Sequence, residues 1–184
     1  VGKDATPSAV FRIPSLVSDP RNKNFSIPIV VDTFTPSMSC LPKQVQFTLS
    51  YNENLFDPNP RIELGSVGGV AGRIISNTTS NRNGTTIRTL TIQCSPLAQL
   101  EPGDILLTVT GAALIGSPGF TDIILDSVQW VCSSTMQTPA QAVGKLTLDS
   151  LCLLPNGSQR LLTFNQSASV VAMIPNPNSG TCSV

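Results

Sequence analysis

The sequence predicts an all-β protein, an antiparallel β-sandwich, and two features of the chain predict it. Short segments of alternating apolar and polar residues recur along the chain, and turn-forming residues separate them. The clearest alternation is VQFTLSY, where Val45, Phe47, Leu49 and Tyr51 share one face of a half-buried strand. Several short strands separated by such turns are typical of two packed antiparallel sheets.

Further segments have the length and apolar content of strands. They lie at residues 25–32, 85–94, 104–111, 122–130, 144–154, 159–164 and 169–174. Pro28 lies inside the first of them, and because proline has no backbone N–H to donate, we expect an edge or a bulge there. The intervening stretches, such as DPNP and NRNG, carry the residues that fix turn dihedral angles.

Length and charge limit the number of domains and the function classes. The 184 residues suit one domain with a real core, or one domain plus an appendage. The 11 basic and 11 acidic residues cancel and are scattered singly, which disfavours nucleic acid as a partner. No apolar run approaches the roughly 20 residues of a membrane-spanning helix, so we expect no membrane span. The N-terminus is typical of a mature chain whose export signal has been removed.

Five cysteines and no histidine indicate disulfides rather than a metal site or redox motif. We predict that Cys132 pairs with Cys152, because the two flank neighbouring strand candidates, and that Cys40 pairs with Cys94 as a weaker second pair. Simple buried thiols are the alternative. The odd count leaves Cys182 as a spare thiol or as a bond to another chain.

The sequence does not predict an enzyme, a cofactor or a metal. Nucleophilic triads and most general bases depend on histidine, which is absent. Three carboxylate pairs are close in sequence: Glu53 with Asp57, Glu101 with Asp104, and Asp122 with Asp126. They lie at turns or strand ends, where acidic side chains ordinarily cap backbone amides or face water. No loop is rich enough in aspartate to assure the converging oxygens of a calcium site.

The order of the segments resembles the cohesin family. FSIPIVVD is followed by VQFTLSYNENLFDP, a glycine-rich loop, RTLTIQC, LEPGDILLTVTGAAL and TDIILDSVQW. The second segment matches the family pattern F-x-L-x-Y-(D/N)-x-x-L, with Asn52 where the family often has aspartate. The resemblance covers residues 9–131 and implies a cohesin-like jelly roll, an outline shared with carbohydrate-binding modules. It implies a dockerin-like partner or a carbohydrate, for which Trp130 is the candidate stacking platform.

The C-terminal part resembles the end of many exported proteins of Bacteroidota, where a β-rich segment precedes a type IX secretion sorting domain that opens with P-N-P-x-x-G. The matching residues are Leu148, Leu151, Cys152, Arg160, Leu161, Leu162, Pro175, Asn176, Pro177 and Gly180. The resemblance implies that the chain stops inside a cleavable or truncated sorting signal. An ordinary tight turn before a frayed terminus is the alternative. The short Asp-Ser-apolar motif of the same group makes Ser127 and Ser150 candidates for O-glycosylation.

These features together predict three segments. Residues 1–131 form the cohesin-like sandwich, residues 132–174 form a short β-rich extension packed on it, and residues 175–184 are the stub of the sorting signal.

The predicted function is a secreted, non-enzymatic structural or adhesive building block of the cell surface, whose partners are copies of itself or other surface proteins. A terminal segment of one copy can complete a sheet edge of another by strand addition, and such a head-to-tail contact propagates into a filament. The candidate assembly strand is SAVFRI, which comprises Ser8, Ala9, Val10, Phe11, Arg12 and Ile13. The alternative is an extracellular recognition module that binds carbohydrate or a dockerin-like partner.

Overall fold

The fold is described here from a computed structural model of the chain. It describes residues 8–19, 23–35, 44–66, 70–95, 100–116, 119–131, 135–138, 142–149, 151–153, 159–161 and 181–182. Fourteen strands are found in these residues: β1 Ser8–Arg12, β2 Leu16–Ser18, β3 Phe25–Thr35, β4 Gln44–Asn52, β5 Arg61–Leu64, β6 Ala71–Arg82, β7 Thr85–Ser95, β8 Ile105–Gly111, β9 Phe120–Val131, β10 Thr135–Thr138, β11 Ala142–Leu148, β12 Leu151–Leu153, β13 Gln159–Leu161 and β14 Thr181–Cys182.

Two sheets form the sandwich. The smaller has the strand order β1-β3-β8-β5, and the larger has the order β2-β11-β9-β4-β7-β6, with β10 also paired to β9. Every pairing within them is antiparallel except β2 with β11. This arrangement confirms the predicted all-β antiparallel sandwich. A separate three-stranded sheet has the order β13-β12-β14.

The core lies between the two sheets and follows the alternation read from the sequence. Val45, Phe47, Leu49 and Tyr51 of β4 are each at most 1% exposed, as the alternation of VQFTLSY predicts. The other buried side chains come from inward positions of neighbouring strands, among them Ile27, Ile29, Leu90, Ile92, Val109, Ile123, Leu125 and Leu146. Burial of this continuous apolar layer is the main term that stabilises the sandwich.

Pro28 occupies a position where the missing N–H is tolerated. β3 lies between β1 and β8, but β1 pairs only with its second half, from Val30 to Thr35. Pro28 therefore has a neighbouring strand on one side only, where it lies opposite Thr108 of β8. The register of β3 and β8 shifts immediately afterwards, between Ile29 and Val30. This confirms the predicted edge or bulge.

The N-terminal segment contradicts the predicted assembly. β1 pairs antiparallel with β3 of its own chain, with Ser8 opposite Thr35. Phe11 and Ile13 are buried in the core of the same sandwich, at 2% and 3% exposure. They are buried because alternation turns every second side chain of the segment inward. The candidate assembly strand thus completes its own smaller sheet instead of lying against another copy.

After β1 the chain crosses from one sheet to the other. Ile13, Pro14 and Ser15 separate β1 from β2, which pairs in parallel with β11 at the margin of the larger sheet. Ile13 packs closely over Gly144 of β11, where an added Cβ would lie 2.4 Å from the Ile13 Cγ2. A residue without a side chain is therefore required at this contact, which closes the sandwich along one side.

The predicted turn NRNG is confirmed as a hairpin. Asn83 and Gly84 join β6 to β7 with φ angles of 51° and 79°, and Arg82 lies opposite Thr85. Two central residues with positive φ are the signature of a type I′ turn, for which Asn-Gly is the preferred pair. The Asn81 Oδ1 accepts a hydrogen bond from the Gly84 N–H at 3.1 Å.

The chain after residue 131 contributes to the larger sheet as well. β11 pairs with β9 along six residues, with Leu146 opposite Thr121. The division at residue 131 into a sandwich and an extension stays a prediction. The predicted sorting motif (Pro175, Asn176, Pro177 and Gly180) lies outside the described residues, as do Cys40, Cys132, Ser150 and Leu162.

Candidate functional site: the outer face of the larger sheet

The larger sheet has one face on the core and a second face that points away from it. We call the second one the outer face, and it is formed by alternate residues of six strands: Gln46, Thr48 and Ser50 of β4, Thr89, Thr91 and Gln93 of β7, Arg73, Ser76 and Thr78 of β6, Phe120, Asp122, Ile124, Ser127 and Gln129 of β9, Val143, Lys145 and Thr147 of β11, and Val17 of β2.

The centre of the outer face consists of cross-strand rows of amides and hydroxyls. Gln46 lies between Gln93 of β7 and Gln129 of β9, and Thr48 lies opposite Thr91. At the β6 end of the first row, the Arg73 Nε donates to the Gln93 Oε1 at 2.8 Å. Short side chains with hydrogen-bonding groups, arranged on a sheet, form a surface that offers many donors and acceptors without deep relief.

A β-bulge displaces two residues of β9 on this face. Phe47 lies opposite Val128 and Leu49 lies opposite Leu125, so that Asp126 and Ser127 together face Thr48. The Ser50 Oγ donates to the Asp126 Oδ2 at 3.1 Å, and the Thr48 and Ser127 hydroxyl oxygens are 3.4 Å apart. The bulge therefore brings an exposed carboxylate to the middle of a surface that is otherwise rich in neutral polar groups.

The β9–β11–β2 side of the outer face carries three exposed apolar side chains among polar ones. Phe120 is 44% exposed, Val143 is 60% exposed and Val17 of β2 is 68% exposed. The Lys145 Nζ lies 4.1 Å from the centroid of the Phe120 ring, which is the geometry of a cation–π contact. Val143 lies opposite Ile124, and the pair of Lys145 and Asp122 lies between them and Phe120.

A shallow depression of about 260 Å³ lies where the polar rows meet Phe120. Its lining includes Ser50, Ile87 and Ile124, with Arg82 and Asp122 as its two charged residues. Apolar side chains together with a few charges of both signs are typical of a recognition surface.

A second polar cluster lies at one end of the sandwich and stabilises it. The Arg88 guanidinium contacts the Glu53 carboxylate at 2.7 Å and the Asn77 Oδ1 at 2.7 Å. The Tyr51 hydroxyl donates to the Asp57 carbonyl at 2.8 Å, and burial raises the pKa of Tyr51 well above its usual range. Each side chain here is held by residues of the turn after β4 or by neighbouring strands, so the cluster fixes that turn.

Two carboxylates singled out from the sequence cap backbone amides, as their positions at turns predict. The Asp57 carboxylate accepts from the Asn59 and Ala112 N–H groups, and the Asp104 Oδ2 accepts from the Glu101 N–H at 2.8 Å. Among the described residues no group of three or more His, Cys, Asp or Glu side chains is placed to hold a metal ion. Within the same residues, no helix has the length and apolarity to cross a membrane.

The cysteines differ from the predicted pairing. Cys94 is a free thiol with no exposed surface, which contradicts the predicted Cys40–Cys94 bond. The physical reason is the alternation of β7, which turns Cys94 into the core beside Leu90 and Ile92. Burial raises the pKa of the Cys94 thiol to about 12, so it stays protonated. The Cys132–Cys152 bond stays a prediction, because Cys132 lies outside the described residues.

The aromatic residues were considered in the sequence analysis as surfaces on which a sugar could stack. Tyr51 is buried and offers no stacking surface. The backbone of Trp130 lies opposite Val45, and its side chain is outside what the structure describes. Among the side chains that the structure describes, the exposed ring is Phe120, which the sequence reasoning missed. The alternation of FTDIILD contains the signal, since Phe120, Asp122 and Ile124 share one face of the strand.

Comparisons with known proteins concern the fold. Neither protein-family models nor curated protein sequences match this chain. A cohesin module from a family 33 glycoside hydrolase of Clostridium perfringens is similar in structure, with a TM-score of 0.52 and 12% identity over 78% of this chain and 98% of that one. A type III cohesin module from a cellulosomal cell-surface anchoring scaffoldin of Ruminococcus flavefaciens has a TM-score of 0.33 and 11% identity over 77% and 88%. With its two sheets and the first of these likenesses, the chain is a cohesin-like β-sandwich.

Proposed function

We propose that this chain is an extracellular, non-enzymatic recognition module that binds a protein partner of the dockerin-like kind through the outer face. The observation that carries the proposal is a set of exposed apolar side chains, Phe120, Val143 and Val17, placed among polar residues beside rows of amides and hydroxyls. Exposed apolar and aromatic side chains set among polar groups are typical of the surfaces through which proteins bind each other. The cohesin-like fold supports the same class of function by analogy.

The composition of the face favours a protein over a carbohydrate. Sugars are usually bound by stacking on an open aromatic ring, and the exposed ring on this face, Phe120, already has the Lys145 ammonium 4.1 Å from its centroid. Asp122, Asp126 and Lys145 add charges of both signs, which suit a protein surface with complementary polar groups. We therefore rank carbohydrate binding below protein binding.

The structural building block is ranked below recognition because its candidate assembly strand is buried in its own sandwich. Filament formation through SAVFRI requires that segment to be available, and Phe11 and Ile13 are buried in their own sandwich. Secretion, a type IX sorting signal at Pro175 to Gly180 and a place at the cell surface stay part of the proposal. The O-glycosylation predicted at Ser127 would place a glycan on the outer face, where it would obstruct a partner.

The test measures binding to a panel of purified dockerin modules by calorimetry. The wild-type chain is compared with two outer-face variants, Phe120→Ser and Val143→Lys. We expect one or more dockerins to bind, and each substitution to weaken binding about tenfold or more, as truncations in the centre of an interface do. Val10→Ser and Ile115→Ser are matched controls, because both residues are about half exposed and lie outside the outer face. These controls should keep wild-type affinity.

Other outcomes separate the competing functions. Binding that the controls lose as strongly as the outer-face variants would show that the outer face is not the site. Failure of every dockerin, together with binding to oligosaccharides of a glycan array, would replace the proposal with the carbohydrate module. Concentration-dependent oligomers in sedimentation velocity, lost on deletion of residues 1–13, would restore the building block.

A further inference from the structure

The three-stranded sheet of the C-terminal part places two cysteines directly opposite each other. β12 pairs antiparallel with β14, with Cys152 opposite Cys182 and Leu153 opposite Thr181. The two cysteines are 30 positions apart in the sequence and are separated by the predicted sorting motif. The sequence analysis predicted a Cys132–Cys152 bond and left Cys182 as a spare thiol or as a bond to another chain. The register instead places Cys152 and Cys182 opposite each other.

Directly opposite residues of an antiparallel pair satisfy the backbone requirement of a disulfide. Their Cα atoms are about 5.5 Å apart in a hydrogen-bonded pair and about 4.5 Å apart in a non-hydrogen-bonded pair. Disulfides are formed at Cα separations of about 4.4 to 6.8 Å. Both kinds of pair fall within this interval, so the register of β12 and β14 meets the Cα-distance requirement of a bond without a shift of either strand.

The other cysteines leave this pair free to form. Cys94 is a buried free thiol within the sandwich core, far from any exchange partner in solution. Cys152 and Cys182 are two of the four remaining cysteines. Among the described cysteines, they are the two that lie opposite each other in a strand pair. Their pairing leaves Cys40 and Cys132 as the remaining two.

We propose that Cys152 and Cys182 form an intramolecular disulfide across β12 and β14, in place of the Cys132–Cys152 bond and of a Cys182 bond to another chain. The two thiols are oxidised by thiol–disulfide exchange with an acceptor disulfide, which is either oxidised glutathione or the disulfide of an oxidoreductase. The acceptor takes up the two protons and two electrons and is released as two thiols. The S–S bond is formed as the acceptor's S–S bond is broken. The proposal stands independently of the partner-binding function.

The bond would have a consequence for processing of the C-terminus. A cut in the chain anywhere between Cys152 and Cys182 would leave the C-terminal fragment covalently attached to the sandwich until the disulfide is reduced. A sorting segment that opens at Pro175 would thus be retained after cleavage ahead of Cys182.

Peptide mapping without reduction tests the proposal on the full chain secreted into an oxidising medium. Trypsin cuts after Lys145 and Arg160, which places Cys152 in the peptide 146–160 and Cys182 in the peptide 161–184. Cys132 falls in the peptide 89–145 and Cys40 in 24–43. Free thiols are blocked at acid pH before digestion. We expect the peptides 146–160 and 161–184 to run as one species that separates on reduction.

Two other species would overturn the proposal. Peptide 146–160 joined to 89–145, which contains both Cys94 and Cys132, would show that Cys152 is bonded to one of these two instead, and fragmentation of the linked species would tell which. A dimer of 161–184 would establish an intermolecular Cys182 bond. Recovery of both peptides blocked and unlinked would show that the two cysteines are free thiols.

Thiol counts on unfolded variants give a second readout that does not depend on native folding. Cys152→Ser and Cys182→Ser should each gain one free thiol over the wild type, because each removes one half of the bond. The double variant Cys152→Ser with Cys182→Ser should match the wild type. If Cys182→Ser instead loses one thiol, Cys182 was unpaired and the proposal fails.

Discussion

The two faces of the larger sheet are built from the same strands and have opposite properties. Along β4, Val45, Phe47 and Leu49 are buried in a continuous core, while Gln46 and Thr48 between them lie on a polar surface. The inner face is apolar because it packs against the smaller sheet of the same chain. The outer face carries donors, acceptors and exposed apolar groups, and it is the surface to which we propose that a partner binds. Buried and exposed side chains thus alternate with a period of two residues.

The comparison predicts a large difference between neighbouring residues of β4. Phe47→Ala should lower the free energy of unfolding by about 3–5 kcal/mol, because it leaves a cavity in a packed core. Thr48→Ala, one position along and on the outer face, should change it by about 0.5 kcal/mol or less. Urea unfolding followed by tryptophan fluorescence measures both. Similar losses in the two variants would show that the outer face is packed as tightly as the core.

Alkaline pH should reveal the inner face through its buried titratable groups. Below pH 9, the ordinary value for cysteine, the Cys94 thiol is protonated in both states and the stability is complete. Between pH 9 and about 12 the unfolded chain loses this proton and the folded chain keeps it, so the free energy of unfolding falls. The loss is on the order of a few kcal/mol. The raised pKa of Tyr51 acts in the same direction from pH 10 upward.

Cys94→Ala is the matched variant for this prediction. It lowers stability at neutral pH, because it removes a buried side chain, but its stability should fall less steeply between pH 9 and 12. Guanidinium unfolding at a series of pH values measures the slope. Parallel curves for the variant and the wild type would mean that the thiol is accessible to water in the folded state.

The smallest effect is expected for a hydrogen bond of the outer face. Ser50→Ala removes the hydroxyl that donates to Asp126, and we expect a loss of about 1 kcal/mol. Ser127→Ala is the control, since its hydroxyl lies at the long distance of 3.4 Å from that of Thr48, and it should change stability by about 0.5 kcal/mol or less. Thermal unfolding monitored by circular dichroism ranks the two. A reversed order would assign the stabilising contact at the bulge to Ser127.

Periodicity made the inner face predictable, and its absence hid other elements. The alternation of β4, β8 and β9 and the Asn-Gly turn were sufficient for the fold class. β6 was not predicted, because its Ser, Thr and Asn residues lie on an exposed edge strand and show no alternation of apolar side chains. The exposed apolar side chains of the outer face were missed for a different reason: Val17, Phe120 and Val143 come from three strands, and only the pairing of those strands brings them to one surface.

The role of the N-terminal segment could not be decided from its own residues. SAVFRI has the pattern of a strand with an apolar face, and such a strand can pair with an edge of its own chain or of a neighbour. The deciding contact is Ile13 against Gly144, which depends on a glycine far along the sequence. Disulfide pairing had the same difficulty, because the predicted Cys40–Cys94 bond did not take into account that the alternation of β7 turns Cys94 into the core.

The parallel pairing of β2 with β11 has a consequence for how the molecule is made. Leu16, near the start of the chain, pairs with Leu146, so nearly the whole sandwich must be synthesised before this contact can be formed. Contacts between such distant residues carry a large loop-closure entropy and are typical of slow folding. During translation, β2 emerges long before β11 and waits longest of the sandwich strands for its neighbour. An unpaired strand is prone to aggregation in that interval, so a bound chaperone would act most usefully on β2.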